Sequence, residues 1–289
     1  MASDAFGEVT ERLRRSTVVV RRGGNSCGSG VIWTAGGQIV TNAHVVGSER
    51  MQVELWDGRR AAARVLKSDR RRDLASLQVE MDVRGGTDGF AAAAQGDSDA
   101  LRPGELVIAV GSPFGFVGAV STGVIHSVGY LRGFEARPWV VSDVRLAPGN
   151  SGGPLANARG EVIGINTMIA GRLALAIPSK FVAQYLARPN GTRPRLGVTV
   201  RPVPLEHSQG RVGFLVLEIL PDSAAERASL LPGDVLTSAG DKAFRHVDDL
   251  EEALDSSRDG RVQIEFQRGG STRGRRVMAQ VALESSRAA

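Results

Sequence analysis

Residues Ala147–Leu155 read APGNSGGPL and place one serine in a glycine-rich turn of this 289-residue chain. A serine hydroxyl is a poor nucleophile at neutral pH, so it needs a neighbouring base, and its attack on a carbonyl needs donors for the oxyanion that forms. The backbone of Gly149, Asn150 and Ser151 bends without side-chain obstruction, so the N–H groups of Gly149 and Ser151 can point to one spot. We therefore predict that these three residues form an oxyanion hole around the nucleophile Ser151.

Two further segments supply the partners that such a serine requires. TNAHVV contributes His44, which would take the serine proton and later return it to the leaving amine. RRDLASLQV contributes Asp73, which would hold the imidazole in the required tautomer. Asp69 competes for this role, but the apolar residues after Asp73 place it at the mouth of a buried strand, where a carboxylate must find a partner. The predicted catalytic residues are His44, Asp73 and Ser151.

Short β-branched runs recur from Thr17 to about Ala170, and turn residues separate most of them. They are TVVV, GVIW, QIVT, MQVEL, RAAARVL, LASLQV, ELVIAV, VGAVSTGVI, WVVSDV and EVIGINTMI. The intervening segments lack the helices of a βαβ unit, so the pattern predicts an antiparallel barrel or sandwich. A short helix over residues 7–15, with Val9 and Leu13 on one face, precedes the strands.

The second half of the chain is predicted to contain a closing helix, a linker and a smaller α+β domain. Residues 177–187 predict the helix, with Ser179 as its cap. RPNGTRPR, residues 188–195, predicts a linker between the domains 1–187 and 196–289, because it holds two prolines and an Asn-Gly. The apolar positions expected to face inward are Phe181, Val182, Tyr185 and Leu186 in the closing helix, and Val247, Leu250 and Leu254 in the helix VDDLEEALDSS.

The composition excludes several classes of protein. Cys27 is the only cysteine, so an intramolecular disulfide and a cysteine metal cluster are impossible, and the four histidines lie too far apart for a local zinc pair. We expect no metal, no cofactor and an inert, buried Cys27 rather than a reactive thiol. No window reaches the roughly 18 uninterrupted apolar residues of a membrane-spanning helix.

Charge and the amino terminus bear on partners and compartment. The net charge is +5, mostly from arginine, and few aromatic residues interleave the arginine runs, so we interpret this charge as solvated surface and expect no nucleic-acid partner. The first residues, MASDAFGEVTERLRRSTVVV, lack a basic region that leads into an apolar one, so they carry no secretory signal. The chain as written is expected to be cytoplasmic, or extracytoplasmic if a leader was removed.

The order His–Asp–Ser, with TNAHVV and GNSGGPL, resembles the chymotrypsin-fold serine peptidases and, within them, the HtrA/Deg (high-temperature-requirement) family. The supporting stretches span about residues 26–182 and are CGSGVIW, GGQIVTNAHVV, RDLASLQV, GSPFGF, STGVIHSV, APGNSGGPLANARGEVIGIN and LALAIPSKFV. The resemblance implies two six-stranded barrels with the triad between them, and an endopeptidase for unfolded or misfolded proteins. It also implies a homotrimer held by amino-terminal apolar residues, for which Phe6 and Val9 are candidates.

The second domain resembles a PDZ domain, the usual companion of the peptidase in that family. RLGV, residues Arg195, Leu196, Gly197 and Val198, matches the carboxylate-binding loop, and GFLVLEILPDSAAERASLLPGDVLTSAGDKAF matches the body of the domain. Backbone N–H groups of the loop would form a nest for the carboxyl terminus of a peptide, and the adjacent strand would accept the peptide by β-augmentation.

The region just before Ser151 lines the primary specificity pocket in the fold that the resemblance implies. This region holds Leu146 and no acid, so cleavage after lysine or arginine is not expected. Together with Met168 and Ile169, Leu146 predicts a pocket for small or medium apolar side chains. Residues Thr167, Met168 and Ile169 would pair with the substrate backbone as an extended strand.

Two other functions fit parts of the sequence. Residues 149–153 also satisfy G-x-S-x-G, the nucleophile elbow of α/β-hydrolases, but that fold needs a helix after the serine and a later histidine. PLANARG follows here instead, and the later histidines, His207 and His246, lie in the second domain. The other alternative is a catalytically weak peptide-binding chaperone or scaffold, which would bind unfolded protein without cutting it.

Overall fold

Antiparallel strands dominate the computed structural model, which describes residues 2–22, 25–80, 90–131, 138–187, 192–205, 210–240, 242–245, 249–255, 260–269 and 274–285. The chain divides into two units, Met1–Asn190 and Gly191–Ala289. The first unit contains two closed six-stranded barrels, and the second contains an open sheet, a two-stranded sheet and short helices. The predicted fold class, two β-barrels followed by a small α+β unit, is confirmed.

The first barrel is closed in the order β1-β2-β3-β6-β5-β4, with β1 paired to β4. Its strands are β1 (Thr17–Arg22), β2 (Asn25–Ile32), β3 (Gln38–Thr41), β4 (Arg50–Glu54), β5 (Arg60–Asp69) and β6 (Leu74–Val79). Valine and isoleucine suit these pleated strands because their branched side chains pack well on such a surface. Val20, Ile39, Val53 and Leu77 are fully buried in its core.

The second barrel repeats the same strand order, β7-β8-β9-β12-β11-β10, and closes between β7 and β10. Its strands are β7 (Leu106–Gly111), β8 (Ala119–Tyr130), β9 (Pro138–Ser142), β10 (Pro154–Asn157), β11 (Val162–Ala170) and β12 (Leu173–Pro178). Strands β10 and β12 were not predicted, because their sequences, PLAN and LALAIP, lack a run of β-branched residues. Both are held by their neighbours in the barrel.

An apolar cluster separate from the core of the first barrel joins the two barrels. It draws on both barrels and on the two helices of this unit, α1 (Ala2–Arg15) and α2 (Ser179–Ala187). Its buried members include Leu13, Val31, Val40, Leu74, Ile108, Trp139, Ile165, Val182 and Tyr185. This shared packing holds the two barrels together.

The two helices differ from their predictions in detail. Helix α1 begins earlier than residue 7, whereas α2 begins at Ser179 because residues 177 and 178 complete β12. The prediction that Ser179 caps α2 is wrong, because Ser179 is the first residue of the helix and its hydroxyl donates to the carbonyl of Gly96 at 2.7 Å. The hydroxyl of Ser98 instead accepts from the N–H of Lys180 at 3.2 Å, so a distant residue serves this end of the helix.

The second unit contains an open sheet in the order β14-β15-β16-β18-β19, with β17 paired to β16, and a separate pair of strands, β13 and β20. The elements are β13 (Thr192–Arg195), β14 (Val198–Pro204), β15 (Val212–Ile219), α3 (Ala224–Arg227), β16 (Val235–Ala239), β17 (Lys242–Ala243), α4 (Asp249–Asp255), β18 (Arg261–Gln267), β19 (Arg275–Gln280) and β20 (Ala282–Ser285). Part of the predicted linker is therefore the strand β13. Leu250 and Leu254 are buried as predicted, and Val247 lies outside the described residues.

Among the described residues, no helix is both long enough and apolar enough to cross a membrane. In the same part of the chain, no three histidine, cysteine, aspartate or glutamate side chains are grouped so that they could hold a metal ion.

Candidate active site

The three predicted catalytic residues lie at strand ends of the two barrels. His44 sits in a short 3-10 turn, Ala43–Val45, that follows β3, and Asp73 directly precedes β6. Because β3 and β6 are neighbours in the sheet, these two residues come from adjacent strand ends. Ser151 lies in the turn before β10 of the second barrel, and its carbonyl accepts from the N–H of Ser29 in β2 at 2.8 Å. The first barrel thus supplies the predicted base and acid, and the second supplies the serine.

His44 and Asp73 form a close pair. The Nδ1 atom of His44 lies 2.9 Å from both carboxylate oxygens of Asp73, and the backbone N–H of His44 donates to Oδ1 at 3.1 Å. The side-chain amide of Asn42 donates to the carbonyl of Asp73 at 2.9 Å. Asp73 has a φ of 51°, a left-handed conformation that is costly for a non-glycine residue and persists where surrounding bonds enforce it. With Nδ1 held, Nε2 is the ring nitrogen left to accept a proton.

The competing residue Asp69 has a different role. It is buried and accepts from the backbone N–H groups of Arg71 and Arg72, at 3.1 and 3.2 Å. Its other oxygen lies 2.8 Å from the Arg72 guanidinium. Asp69 therefore organises the turn between β5 and β6, and the choice of Asp73 as the partner of His44 agrees with this geometry.

The environment of Asp73 favours its ionised form. Burial raises the pKa of this carboxyl, but hydrogen bonds from His44 and Thr167 and the charge attraction of His44 together lower it more. The pKa of Asp73 therefore lies below its ordinary value. At neutral pH the carboxylate is charged and can stabilise a protonated His44.

Acid stability is expected to depend on Asp73. A carboxyl with a depressed folded pKa adds stability above its unfolded pKa of about 4, and this contribution is lost as the pH falls through the folded value. Lowering the pH from about 7 to about 3 should reduce the free energy of unfolding of the wild type more than that of Asp73→Asn. Urea titrations at both pH values measure the difference, and equal reductions in the two proteins would contradict the prediction.

Thr167 in β11 touches both halves of the site. Its hydroxyl donates to Oδ2 of Asp73 at 2.5 Å, and its carbonyl accepts from the hydroxyl of Ser151 at 3.0 Å. Within the described part of the chain, no hydrogen bond joins the Ser151 hydroxyl to His44. We predicted Thr167 as part of a substrate-pairing strand, and its link to Asp73 escaped that prediction. The two polar residues Asn166 and Thr167 in the otherwise apolar run VIGINTMIA are the sequence signal that could have found this link.

The turn before Ser151 leaves two backbone donors open. Gly149 has a φ of 106°, and a Cβ atom there would lie 2.3 Å from the carbonyl oxygen of Ser112, so only glycine fits. Within the described residues, no hydrogen bond occupies the N–H groups of Gly149 and Ser151. The N–H of Asn150 donates to the carbonyl of Ala147 at 3.0 Å. The backbone N–H of Asn150 is therefore already occupied. This corrects the prediction that Asn150 belongs to the oxyanion hole, and it leaves Gly149 and Ser151 as the two candidate donors.

The residues predicted to bind substrate side chains are mostly packed. Leu146 is partly buried against the core of the second barrel, and Met168 packs against the cluster between the barrels. Ile169 is exposed, with an accessible fraction of 51%. Strand β11 pairs with β10 only as far as Ile165, but pairs with β12 as far as Ala170. The end of β11 therefore has one unpaired edge among the described strands.

The candidate carboxylate loop, Arg195–Val198, joins β13 to β14. Arg195 is exposed, whereas Leu196 is buried and its carbonyl accepts from the N–H of Ala225 at 2.8 Å. Gly197 has a φ of 78°, and a Cβ atom there would lie 2.2 Å from Cβ of Ser223. No hydrogen bond to a described residue occupies the N–H groups of Leu196 and Gly197. The loop thus offers two open backbone donors.

Three further residues were singled out from the sequence: Cys27 as a buried, inert thiol, and Phe6 and Val9 as candidate oligomer contacts. The backbone of Cys27 lies in β2, and its side chain falls outside what the structure describes. Phe6 in α1 is 38% exposed, whereas Val9 packs against the cluster between the barrels. Val9 is therefore engaged with its own unit, which leaves Phe6 as the exposed member of the two oligomer candidates.

Two family models match this chain. The trypsin-like peptidase domain matches residues 28–165, which include all three predicted catalytic residues, and the PDZ domain matches residues 215–268. The second match covers the body of the predicted PDZ unit and begins after its candidate carboxylate loop.

Curated proteins and solved structures that are named as serine proteases are similar to this chain. A probable periplasmic serine endoprotease DegP-like of Marinomonas sp. is 37% identical over 243 residues, which cover 78% of this chain and 50% of the relative. Another of that name, from Ectopseudomonas mendocina, is 35% identical over 295 residues, covering 96% of this chain and 61% of the relative. The chain thus spans about half to three fifths of these relatives' length. Among solved structures, the HtrA-type protease AlgW with decapeptide matches with a TM-score of 0.77 at 26% identity, covering 96% of this chain and 98% of that one.

Proposed function

This chain belongs to the HtrA family of serine proteases, and from that premise we propose that it is a serine endopeptidase for unfolded or misfolded proteins. The proposal is carried by the His44–Asp73 pair, with 2.9 Å between ring nitrogen and carboxylate, beside the turn that presents Ser151. Thr167 supports both sides of this arrangement, since it contacts Asp73 and Ser151. The proposed role is protein quality control.

The first half of the reaction would acylate Ser151. The hydroxyl rotates from the Thr167 carbonyl to Nε2 of His44, which takes its proton as the oxygen attacks the substrate carbonyl. The resulting oxyanion accepts from the open N–H groups of Gly149 and Ser151. Asp73, held ionised, stabilises the protonated ring. The tetrahedral species then collapses, and His44 gives the proton to the leaving amine.

The second half would release the acyl group. A water molecule gives a proton to His44 as its oxygen attacks the ester, and the same two N–H groups stabilise the second oxyanion. Collapse of this species breaks the bond to Ser151, which recovers its proton from His44. The substrate backbone would lie along the open edge at the end of β11, near Thr167 and Ile169. Leu146 and the absence of an acid nearby favour cleavage after small or medium apolar residues.

The second unit would bind the carboxyl terminus of a peptide at the carboxylate loop. The open N–H groups of Leu196 and Gly197 suit a carboxylate, and β14 is an edge strand that begins next to them. The similar HtrA-type protease AlgW was solved with a decapeptide, which supports the proposal that this chain also binds peptides. Peptide binding here would recruit substrates or stimulate the peptidase.

Removing the terminal charge of a peptide should weaken its binding to the second unit. A peptide with a free carboxyl terminus is expected to bind at least about tenfold more tightly than its carboxyl-terminal amide, because the amide removes a charged hydrogen-bond acceptor. Isothermal titration of apolar-ended peptides measures the ratio, with Gly197→Ala as a variant whose loop cannot keep its backbone geometry. Equal affinities for acid and amide would argue against a carboxylate site.

The proposed compartment follows the names of the relatives, and the proposed assembly follows the resemblance to the HtrA/Deg family. Proteins named periplasmic are 35% and 37% identical to this chain, so we favour the extracytoplasmic alternative over the cytoplasmic one. A homotrimer is the proposed assembly, and exposed Phe6 is the candidate contact. Sedimentation of the wild type and Phe6→Ala would measure the contribution of this side chain.

The decisive test of the proposed function is turnover of an unfolded protein such as reduced casein. The wild type should degrade it, and Ser151→Ala should bind it without cutting. If both proteins bind the substrate and neither cuts it, the peptide-binding scaffold becomes the better description.

A further inference from the structure

Ser29 in β2 is a buried residue that joins the first barrel to the turn before Ser151. Its side chain is fully enclosed, with an exposed fraction of 0%. The hydroxyl donates to the carbonyl of Gly149 at 2.7 Å and accepts from the N–H of Ser112 at 2.9 Å. The backbone N–H of Ser29 donates to the carbonyl of Ser151 at 2.8 Å. One residue of the first barrel therefore holds this turn at two points.

The carbonyl groups of this turn determine where its N–H groups point. In a trans peptide the carbonyl and the following N–H face opposite ways. The carbonyl of Pro148 accepts from the N–H of Phe114 at 3.0 Å, so the N–H of Gly149 is turned to the other side. The carbonyl of Gly149 is held by Ser29, so the N–H of Asn150 is directed back to Ala147. Phe114 thus anchors the peptide plane that carries the Gly149 N–H, and Ser29 anchors the next plane, which leads to Ser151.

The space around Ser29 is equally restricted. A Cβ atom at Gly152 would lie 2.1 Å from the carbonyl oxygen of Ser29, and one at Gly153 would lie 3.3 Å from its Cβ atom. The two glycines that follow Ser151 therefore let β2 approach the turn closely. This close approach brings the Ser29 hydroxyl within reach of Gly149.

We propose that Ser29 is a positioning residue for the oxyanion hole: its hydroxyl fixes the Gly149–Asn150 peptide, which links the two donor residues Gly149 and Ser151, so that both of their N–H groups face the reacting carbonyl. This inference rests on the proposed peptidase function. Without the hydroxyl, the Gly149 carbonyl retains, among the described residues, only a longer contact of 3.4 Å from the N–H of Ser112. The turn would then populate orientations in which one oxyanion donor is misplaced. Loss of one such donor typically costs about 10²–10³ in rate, so partial misplacement should cost about 10- to 100-fold.

The test compares Ser29→Ala with Ser98→Ala, a matched change of a buried serine. Ser98 is 2% exposed and accepts one backbone N–H, that of Lys180, at 3.2 Å. For Ser29→Ala we expect kcat on a chromogenic peptide to fall about 10- to 100-fold with KM unchanged. Affinity for a peptide boronic acid, whose oxygen occupies the oxyanion hole in the serine adduct, should fall by a similar factor. Ser98→Ala should leave both quantities at wild-type values.

Two different outcomes distinguish a failure of the proposed role of Ser29 from a failure of the proposed peptidase function. If the wild type cuts the peptide, Ser151→Ala does not, and Ser29→Ala keeps wild-type kcat and boronate affinity, Ser29 has no positioning role. If the wild type itself does not cut, the proposed function fails instead. Thermal unfolding establishes that each variant is folded. Should Ser29→Ala not fold, Ser29→Cys keeps the volume with a weaker donor, and it should show the same selective loss of kcat in smaller measure.

Discussion

Replacing Ser151 with alanine is expected to lower kcat by a factor of about 10⁶, because the change removes the atom that forms the acyl intermediate. The fold should be unaffected. The hydroxyl makes one hydrogen bond among the described residues, to the carbonyl of Thr167, so little structure depends on it. Substrate binding should also persist, since the open donors and the end of β11 remain in place.

The measurement is the rate of peptide and casein hydrolysis, together with the stoichiometry of labelling by a fluorophosphonate. The wild type should accept one label per chain, and Ser151→Ala none. Ser142→Ala is a suitable control, because Ser142 is buried in β9 of the same barrel and its hydroxyl has no hydrogen-bond partner among the described residues. Retention of hydrolysis by Ser151→Ala would reject the assignment of the nucleophile.

The second large effect is expected from Asp73→Asn, which should lower kcat at neutral pH by about 10⁴. The carboxylate accepts from Nδ1 of His44 at 2.9 Å and so keeps the proton on that nitrogen. An asparagine amide can donate to Nδ1 instead, which would place the proton on Nε2, where the base is needed. It also removes the negative charge that stabilises the protonated ring.

Asp69→Asn is the matched control, since Asp69 was the competing candidate. This change weakens the turn that holds Arg71 and Arg72, so it should lower the free energy of unfolding with little change in kcat. Kinetics at several pH values and urea titration separate the two effects. A larger kinetic loss in Asp69→Asn than in Asp73→Asn would reverse the assignment.

Short sequence patterns predicted most strands of the first unit and the pairing of His44 with Asp73, because each of these features is marked by residues that are adjacent in the sequence. The runs of β-branched residues predicted most barrel strands, and the apolar run after Asp73 separated it from Asp69. Gly149 was predictable because a tight turn needs a residue without a side chain, and its φ of 106° agrees. These features depend on a few neighbouring residues, so they can be predicted without knowledge of the tertiary structure.

Several of the missed features depend on contacts between distant segments. Thr167 and Asp73 are 94 residues apart, and the hydroxyl of Ser29 reaches a carbonyl 120 residues away. The cap of α2 comes from Ser98, 82 residues before Lys180. The strand β13 forms in a proline-containing segment because β20 pairs with it. No pattern within one segment contains this information.

The strand order of the barrels also affects how this protein would survive contact with unfolded chains. Exposed sheet edges invite other chains to add strands without limit, which leads to aggregation. Both barrels are closed, and the described open edge of the second is confined to the short end of β11. In the second unit, the edge strand β19 carries exposed Arg275 and Arg276, charges that discourage further pairing, whereas β14 at the opposite edge lies beside the carboxylate loop. On the proposed function, an extended client would pair at the end of β11 or along β14, and the charges on β19 would oppose the addition of further strands there.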